Sequence, residues 1–168
     1  MTAWSSIQLS GPWTAEDAER HVRDRVIPVR LACMTPSAYP LTISLWYIWE
    51  EGALWCAVQE TSRIANYFRS YPRCGFEIAA DDPPYQGVRG VADVALVPEA
   101  GERILRRLIA RYLGSEASDL AHWLLSRADT EIALQIQPRR AFTWDYGARM
   151  RNALASGASG NQADIPSA

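Results

Sequence analysis

The most informative stretch of the chain is "ALWCAVQETSRIANYFRSYPR", residues 53–73, because the apolar periodicity changes within it. The apolar run at 53–58 is typical of a buried β-strand, whereas the apolar spacing from Ile64 to Tyr71 fits a short helix that Pro72 ends. Between the two lie a pair of hydroxyls and a guanidinium, those of Thr61, Ser62 and Arg63. The stretch therefore predicts a strand, a polar turn and a helix.

The polar turn is a candidate site for an anion. A helix that starts directly after a strand offers free backbone N–H groups and the positive end of its dipole. The hydroxyls of Thr61 and Ser62 could add hydrogen bonds and Arg63 a planar charged fork, which together suit a phosphate. The simpler alternative is that one hydroxyl caps the helix and Arg63 is a solvated surface residue. Spacing alone leaves both interpretations open.

The segments on either side alternate between strand and helix patterns. Upstream, Thr14 is placed to cap a helix that ends at Pro28. Three strands joined by turns then follow, at 28–34, 40–50 and 53–58, and we expect them to form an antiparallel meander. Downstream come strands at 74–80 and 88–98, a helix at 100–113 that Gly114 ends, a second helix from Ser118, and a strand at 130–144. Gly87 and Gly90 predict bulges or close backbone approaches.

This order predicts one α+β domain over residues 1–150, with about six mainly antiparallel strands and flanking helices. We expect the sheet to form a β-barrel, because closure of a sheet leaves no strand edge exposed. The small, polar and aperiodic segment 151–168 predicts a disordered tail. Seven tryptophans and seven tyrosines are many for 168 residues. Part of this aromatic surface either covers a ligand or partner, or packs in the core.

Composition excludes several classes of function. A net charge of −2 gives no general attraction to nucleic acid or to an anionic membrane, and no apolar run reaches the roughly 18 to 20 residues of a membrane span. Three cysteines beside apolar runs and the lack of a leader pattern predict reduced thiols and a cytoplasmic protein. His21 and His122 have no partner at metal-ligand spacing, so we predict no metal site. Without a catalytic triad or nucleotide-binding motif, an enzyme of this sequence would rely on a cofactor.

Several sequence segments between about Thr14 and Tyr146, taken in order, resemble the pyridoxamine 5′-phosphate oxidase-like family, the FMN-binding split-barrel proteins. They are "PLTISLWYIWEEGALWCAV" as paired strands, "TSRIANYFRSYPR" as the phosphate-binding turn, "DDPPYQGVRGVADV" as the central loop and strand, "RYLG" at the end of the long helix, and "PRRAFTWDYG" as the closing strand. The resemblance implies a split-barrel homodimer with flavin sites at the subunit interface.

The resemblance also implies roles for particular residues. Ser44, Leu45 and Trp46 would lie beside the isoalloxazine ring, largely through backbone contacts, and Cys56 and Ala57 would face the cofactor from the next strand. Thr61, Ser62 and Arg63 would hold the phosphate. Further contacts would come from Gln86, Val88, Arg89 and Trp144, for which the alternatives are core packing or a solvated edge.

One departure from the family pattern bears on the cofactor. Where members commonly have serine, arginine, lysine and a further basic residue, this chain has Thr61, Ser62, Arg63 and Ala65, so one cation stands where two or three are common. Relatives that bind F420 or haem make these cofactors alternatives to FMN. The implied function is an FMN-dependent oxidoreductase that transfers hydride between flavin N5 and NAD(P)H or a small organic substrate. The alternative from another class is a protein that binds or senses a flavin without turnover.

Overall fold

The structure, a computed structural model, describes Trp4 and residues 7–151. The predicted tail lies outside these residues apart from Arg151. The described strands are β1 (Gln8–Ser10), β2 (Val29–Met34), β3 (Pro40–Leu45), β4 (Ile48–Glu50), β5 (Ala53–Gln59), β6 (Arg73–Ala79), β7 (Gln86–Val97) and β8 (Glu131–Asp145). The α-helices with complete bounds are α1 (Ala15–Asp24), α2 (Arg63–Ser70), α3 (Gly101–Leu113) and α4 (Asp119–Leu125).

Helix ends follow the capping signals in the sequence. The hydroxyls of Thr14, Ser62 and Ser118 each accept a hydrogen bond from a backbone N–H three residues on, at the starts of α1, α2 and α4. Gly114 adopts a left-handed conformation, φ 78°, and ends α3. The amphipathic face of α3 buries Ile104, Leu105, Leu108 and Ile109, as the spacing predicts. No helix of the described residues is long and apolar enough to cross a membrane.

All eight strands form one sheet in the order β3-β2-β6-β7-β8-β5-β4, and β1 pairs in parallel with β8. Every other described pairing is antiparallel. The α+β barrel-like class is therefore confirmed, with eight strands instead of about six. The additional strands are β1, which the sequence pattern did not predict, and the second half of the segment 40–50.

The predicted three-strand meander is wrong, because the segment 40–50 is not one strand. It breaks at Trp46 and Tyr47 into β3 and β4, which lie at opposite ends of the sheet order. Two linking residues span less than about 11 Å, so the two ends of the sheet must curl towards each other. The sheet closes only partly, and a split begins where β3 and β4 separate.

Contacts with the helices fix the side chains of the two residues between β3 and β4. The Tyr47 side chain is fully buried, and its hydroxyl donates to the carbonyl of Val22 at 2.7 Å, next to the end of α1. The Trp46 ring stacks on Tyr112 of α3 with ring centres 4.9 Å apart and planes 5° apart. The chain therefore turns from one sheet end to the other under tertiary contacts, which override a continuous strand propensity.

Two cross-strand rows of side chains define what we call the outer face of the sheet. One row contains Thr42, Ala32, Gly75, Val91, Arg140 and Gln8, and the other contains Ser44, Arg30, Glu77, Arg89, Phe142 and Ser10. The inner face packs with α1 and α2 around the main core, which includes Leu31, Leu54, Ile78 and Leu134. The helices α3 and α4 pack around separate apolar clusters.

Candidate functional site

The polar turn lies where β5 passes into α2. Ser62 is the N-cap, and its Oγ accepts a hydrogen bond from the backbone N–H of Ala65 at 3.3 Å. Arg63 is the first residue of the helix, and both Thr61 and Arg63 are exposed. Ser62 therefore does cap the helix, yet its hydroxyl hydrogen remains available to a ligand. The turn presents two hydroxyls, free N–H groups of the first turn and one guanidinium.

Charges around the turn favour an anion. No carboxylate of the described residues lies within 4.0 Å of the Arg63 guanidinium. The neighbouring carboxylate, that of Glu60, forms an ion pair at 3.7 Å with Arg69, which also donates to the Glu60 carbonyl at 3.1 Å. Arg69 thereby offsets the charge that would otherwise repel an anion at the turn.

The split leaves two strand edges without a partner among the described residues. β4 pairs with β5 only from Ala53 to Trp55, so the edge from Cys56 to Gln59 is free, and β3 has a partner on one side only. Both free edges carry backbone N–H and C=O groups without a strand partner among the described residues, and a planar ligand can use such groups.

Side chains along these edges point in different directions. Leu45 packs against the core and Cys56 is fully buried within it, where burial raises the pKa of the Cys56 thiol. Trp46 and Ala57 pack against the cluster beside α3, whereas Ser44 is exposed on the outer face. For Leu45 and Cys56 only the backbone can reach a ligand in the split. The resemblance implies such backbone contacts for Leu45, whereas the side chain of Cys56, which was expected to face the cofactor, is buried in the core.

The four remaining candidates do not form one group. Val88 is fully buried in the core, and Gln86 lines a cavity of about 470 Å³ beside α1. Arg89 is exposed on the outer face, with its guanidinium 5.2 Å from the centre of the Phe142 ring. Trp144, opposite Gly87, has a buried Nε1 with no acceptor among the described residues. A ligand or a second chain could supply that acceptor.

The cavity that Gln86 shares is polar and contains a buried histidine. His21 packs against Trp13 with ring centres 4.9 Å apart, and its Nε2 lies 3.2 Å from the carbonyl of Ile78. Burial lowers the pKa of His21 below its usual value. Among the described residues, no three His, Cys, Asp or Glu side chains converge as they would around a metal ion.

The sequence did not reveal a groove on the outer face, which extends from β3 to β7 and has a volume of about 320 Å³. Its Arg30 guanidinium lies 2.6 Å from the carboxylate of Asp81 and 4.0 Å from that of Glu77. The residues that line it are Arg30, Ala32, Thr42, Gly75, Phe76, Glu77, Arg89 and Gly90. The alternation in "VRLACM" could have identified Arg30 as an outward residue among buried neighbours.

Comparison with known proteins identifies the fold. No family model and no curated protein matches the chain. Solved structures do: a conserved hypothetical protein, Rv2991 from Mycobacterium tuberculosis, is 20% identical over 94% of both chains with a TM-score of 0.66. An F420 reductase is 18% identical over 73% of this chain and 94% of its own, with a TM-score of 0.60. A putative pyridoxamine 5′-phosphate oxidase from Listeria innocua is 12% identical over 76% and 95%, with a TM-score of 0.60.

These similarities confirm that the chain has the pyridoxamine 5′-phosphate oxidase-like split-barrel fold. They lie at or below 20% identity, so they establish the architecture and not the activity.

Proposed function

We propose that this protein binds a phosphate-bearing flavin-type cofactor, FMN in the first instance, and acts as an oxidoreductase on a small organic substrate. The observation that carries the proposal is the position of the polar turn at the end of a free strand edge. The residues that would hold the phosphate are Thr61, Ser62 and Arg63, and the backbone of Ser44, Leu45, Cys56 and Ala57 would lie along the ring.

The residues present fit such a group in two respects. The free edges of β3 and β5 carry polar backbone groups without a strand partner among the described residues, as a ring with several hydrogen-bonding atoms requires. Arg63 has no carboxylate partner among the described residues, and Arg69 neutralises Glu60.

When bound, a flavin supplies hydride transfer at N5, and the chain's part is to bind, orient and exclude water. The turn would fix one end of the cofactor, and the strand edges would fix the plane of its ring. The indole of Trp46 stacks on Tyr112, that of Trp49 donates to Glu19 at 3.1 Å, and that of Trp55 is 7% exposed. Each of these indoles is thus held by packing or a hydrogen bond within the chain, and we propose that they leave the ring open to a substrate.

The identity of the cofactor stays open between three groups. An F420 reductase and HutZ, a haem storage protein from Vibrio cholerae, are solved structures of similar fold. FMN and F420 both carry a phosphate that the turn could hold. Haem lacks this phosphate, and it would leave the arrangement of Thr61, Ser62 and Arg63 without a ligand.

We further propose that a second copy of the chain covers the outer face. Three large apolar side chains are exposed there or at its margin, with 42% of Met34, 43% of Val91 and 40% of Phe142 accessible. A sheet face with several such residues is typical of an interface. Size-exclusion chromatography with light scattering should give a dimer, and Val91→Arg should convert it to a folded monomer. A wild-type monomer at micromolar concentration would contradict this proposal.

A thermal-shift panel with FMN, F420 and haem tests the cofactor proposal. A ligand at a hundred times its Kd stabilises the folded state by about 2.7 kcal/mol, which raises the melting temperature of a domain of this size by roughly 5 to 11 °C. We expect such a rise with FMN or F420, followed by bleaching of the bound flavin on anaerobic addition of NAD(P)H. A bound flavin that NAD(P)H does not reduce would show that the protein binds the cofactor without turnover. If none of the three cofactors raises the melting temperature, the proposal that the protein binds a cofactor is refuted.

A further inference from the structure

A cavity on the outer face has arginines at its rim and a largely apolar floor. Its volume is about 510 Å³, and it lies where β2, β6, β7 and β8 run side by side. The floor contains Ala32, Gly75, Val91 and Ala92. Three arginines are among the residues that line it, Arg73, Arg139 and Arg140. The cavity combines apolar surface with concentrated positive charge on a chain whose net charge is −2.

A β-bulge brings two of these arginines together. Val91 pairs with Arg140 and the next residue, Ala92, pairs with Pro138, so Arg139 has no partner on β7. In a regular strand consecutive side chains point to opposite faces, and one of two adjacent arginines would enter the core. Here Arg139 and Arg140 are both exposed and both line the cavity. The extra residue therefore places two consecutive guanidinium groups on the same face.

The carboxylate in the cavity does not satisfy this charge. Asp93 lies directly opposite Arg73 in the register of β6 and β7, but its carboxylate accepts a hydrogen bond from Arg139 Nε at 2.6 Å. Within the described ranges, neither Arg73 nor Arg140 has a carboxylate within 4.0 Å. Three guanidinium groups against one carboxylate leave two positive charges for a ligand.

We propose that this cavity binds the acidic group of an organic anion, a carboxylate or a phosphate ester with an apolar body. Arg73 and Arg140 contact the anion, Asp93 holds Arg139 in place, and the apolar body lies on Val91 and Met34, so that the bound anion lies between the two copies of the proposed dimer. Planar guanidinium groups suit both acids because each can donate two parallel hydrogen bonds to them.

This site is separate from the polar turn. Arg63 begins α2, and Arg73 follows its last turn, so a helix of eight residues, about 12 Å long, separates the two anion sites. The inference goes beyond the proposed cofactor and does not require it.

Isothermal titration of the full chain with phenyl phosphate, benzoate, inorganic phosphate and benzyl alcohol tests the proposal. We expect saturable binding of phenyl phosphate, benzoate or both. Inorganic phosphate should bind more weakly because it lacks the apolar body, and benzyl alcohol because it lacks the charge. Arg73→Gln and Arg140→Gln should each weaken binding of the anion about five- to tenfold, since charge-assisted bonds at an exposed site are partly screened. Both variants should bind FMN as the wild type does, which separates this site from the cofactor proposal.

Arg106→Gln is the matched control, because it removes one exposed arginine that pairs with Glu102 and Glu116 on the helical side of the molecule. It should leave binding of the anion unchanged. Equal binding by the wild type, Arg73→Gln and Arg140→Gln would overturn the proposal, as would the absence of saturable binding by both organic anions. Loss of the dimer in Arg140→Gln without any anion binding would show that these arginines pair with a second copy instead, and would also overturn it.

Discussion

Replacing Arg63 with alanine is expected to weaken the binding of FMN about tenfold and to leave the affinity for riboflavin unchanged. The two ligands share the ring and the ribityl chain, and only FMN carries the phosphate. Hydrogen bonds to charged groups contribute roughly 1.5 to 3 kcal/mol. Arg63 is exposed at the first position of α2, so solvent screens its charge and we use the lower end of that range. A loss of about 1.4 kcal/mol corresponds to a factor of ten in Kd.

The assay is equilibrium titration of both flavins, followed by the quenching of flavin fluorescence, with the wild type, Arg63→Ala and Arg106→Ala. The control removes the same charge from α3, where the side chain pairs with Glu102 and Glu116, and should alter neither affinity. An equal loss of affinity for FMN and riboflavin in Arg63→Ala would contradict the assignment of Arg63 to the phosphate. It would mean that Arg63 supports the ring or the local fold and not the phosphate.

Three further predictions concern the structure that positions the site. Tyr47→Phe removes the buried hydroxyl that donates to a backbone carbonyl at 2.7 Å. It should lower the free energy of unfolding by about 2 kcal/mol and the melting temperature by roughly 4 to 8 °C. Tyr39→Phe, at a side chain that is 74% exposed, should have no effect. Gly90→Ala would place its Cβ 2.1 Å from a backbone oxygen of β8, and should lower the free energy of unfolding in urea by about 3 kcal/mol or more. Gly75→Ala should be tolerated, because the atoms nearest to its Cβ would lie 3.7 Å away. Equal effects of the two substitutions would contradict the strand packing. Burial lowers the pKa of His21 in the folded state, so the unfolded chain binds more protons and stability should be lost as the pH falls through 6.5, where the unfolded side chain titrates. The loss between pH 7 and 5.5 should be smaller in His21→Gln, and identical pH profiles would count against this assignment.

Local signals were sufficient for most elements of the fold. Capping residues such as Thr14 and Ser62, together with Gly114 at the end of α3, mark helix ends through bonds within a few residues. The change of period after residue 58 correctly separates β5 from α2. These features depend on neighbouring residues alone, so a sequence can reveal them.

Elements set by distant contacts could not be predicted in the same way. The residues from 40 to 50 favour a strand throughout, but the strand breaks at Trp46 and Tyr47, where the Tyr47 side chain is buried and its hydroxyl donates to the carbonyl of Val22. β1 has only three residues and forms through parallel pairing with β8, more than a hundred residues away. Bulges or close backbone approaches were predicted at Gly87 and Gly90. Both glycines do lie close to backbone atoms of neighbouring strands, whereas the shift in register lies just beyond them, between Val91 and Ala92.

The candidate site shows the same division between local and distant information. The polar turn is local, and its position after β5 was predicted correctly. The side-chain directions of Gln86 and Val88 depend on how α1 and the core pack against β7, which spacing did not reveal. The cluster of Arg73, Arg139 and Arg140 arises because a bulge meets a strand from another part of the chain.

Hydrogen–deuterium exchange with and without saturating FMN shows where a ligand protects the backbone, and so tests whether the cofactor lies in the split. We expect slower exchange along the two free edges and the polar turn, in peptides that cover 41–47 and 56–65, with no change in α4 at 119–125 as the internal control. Binding of FMN that leaves both peptides unprotected, or that protects only residues elsewhere, would contradict the placement of the cofactor in the split.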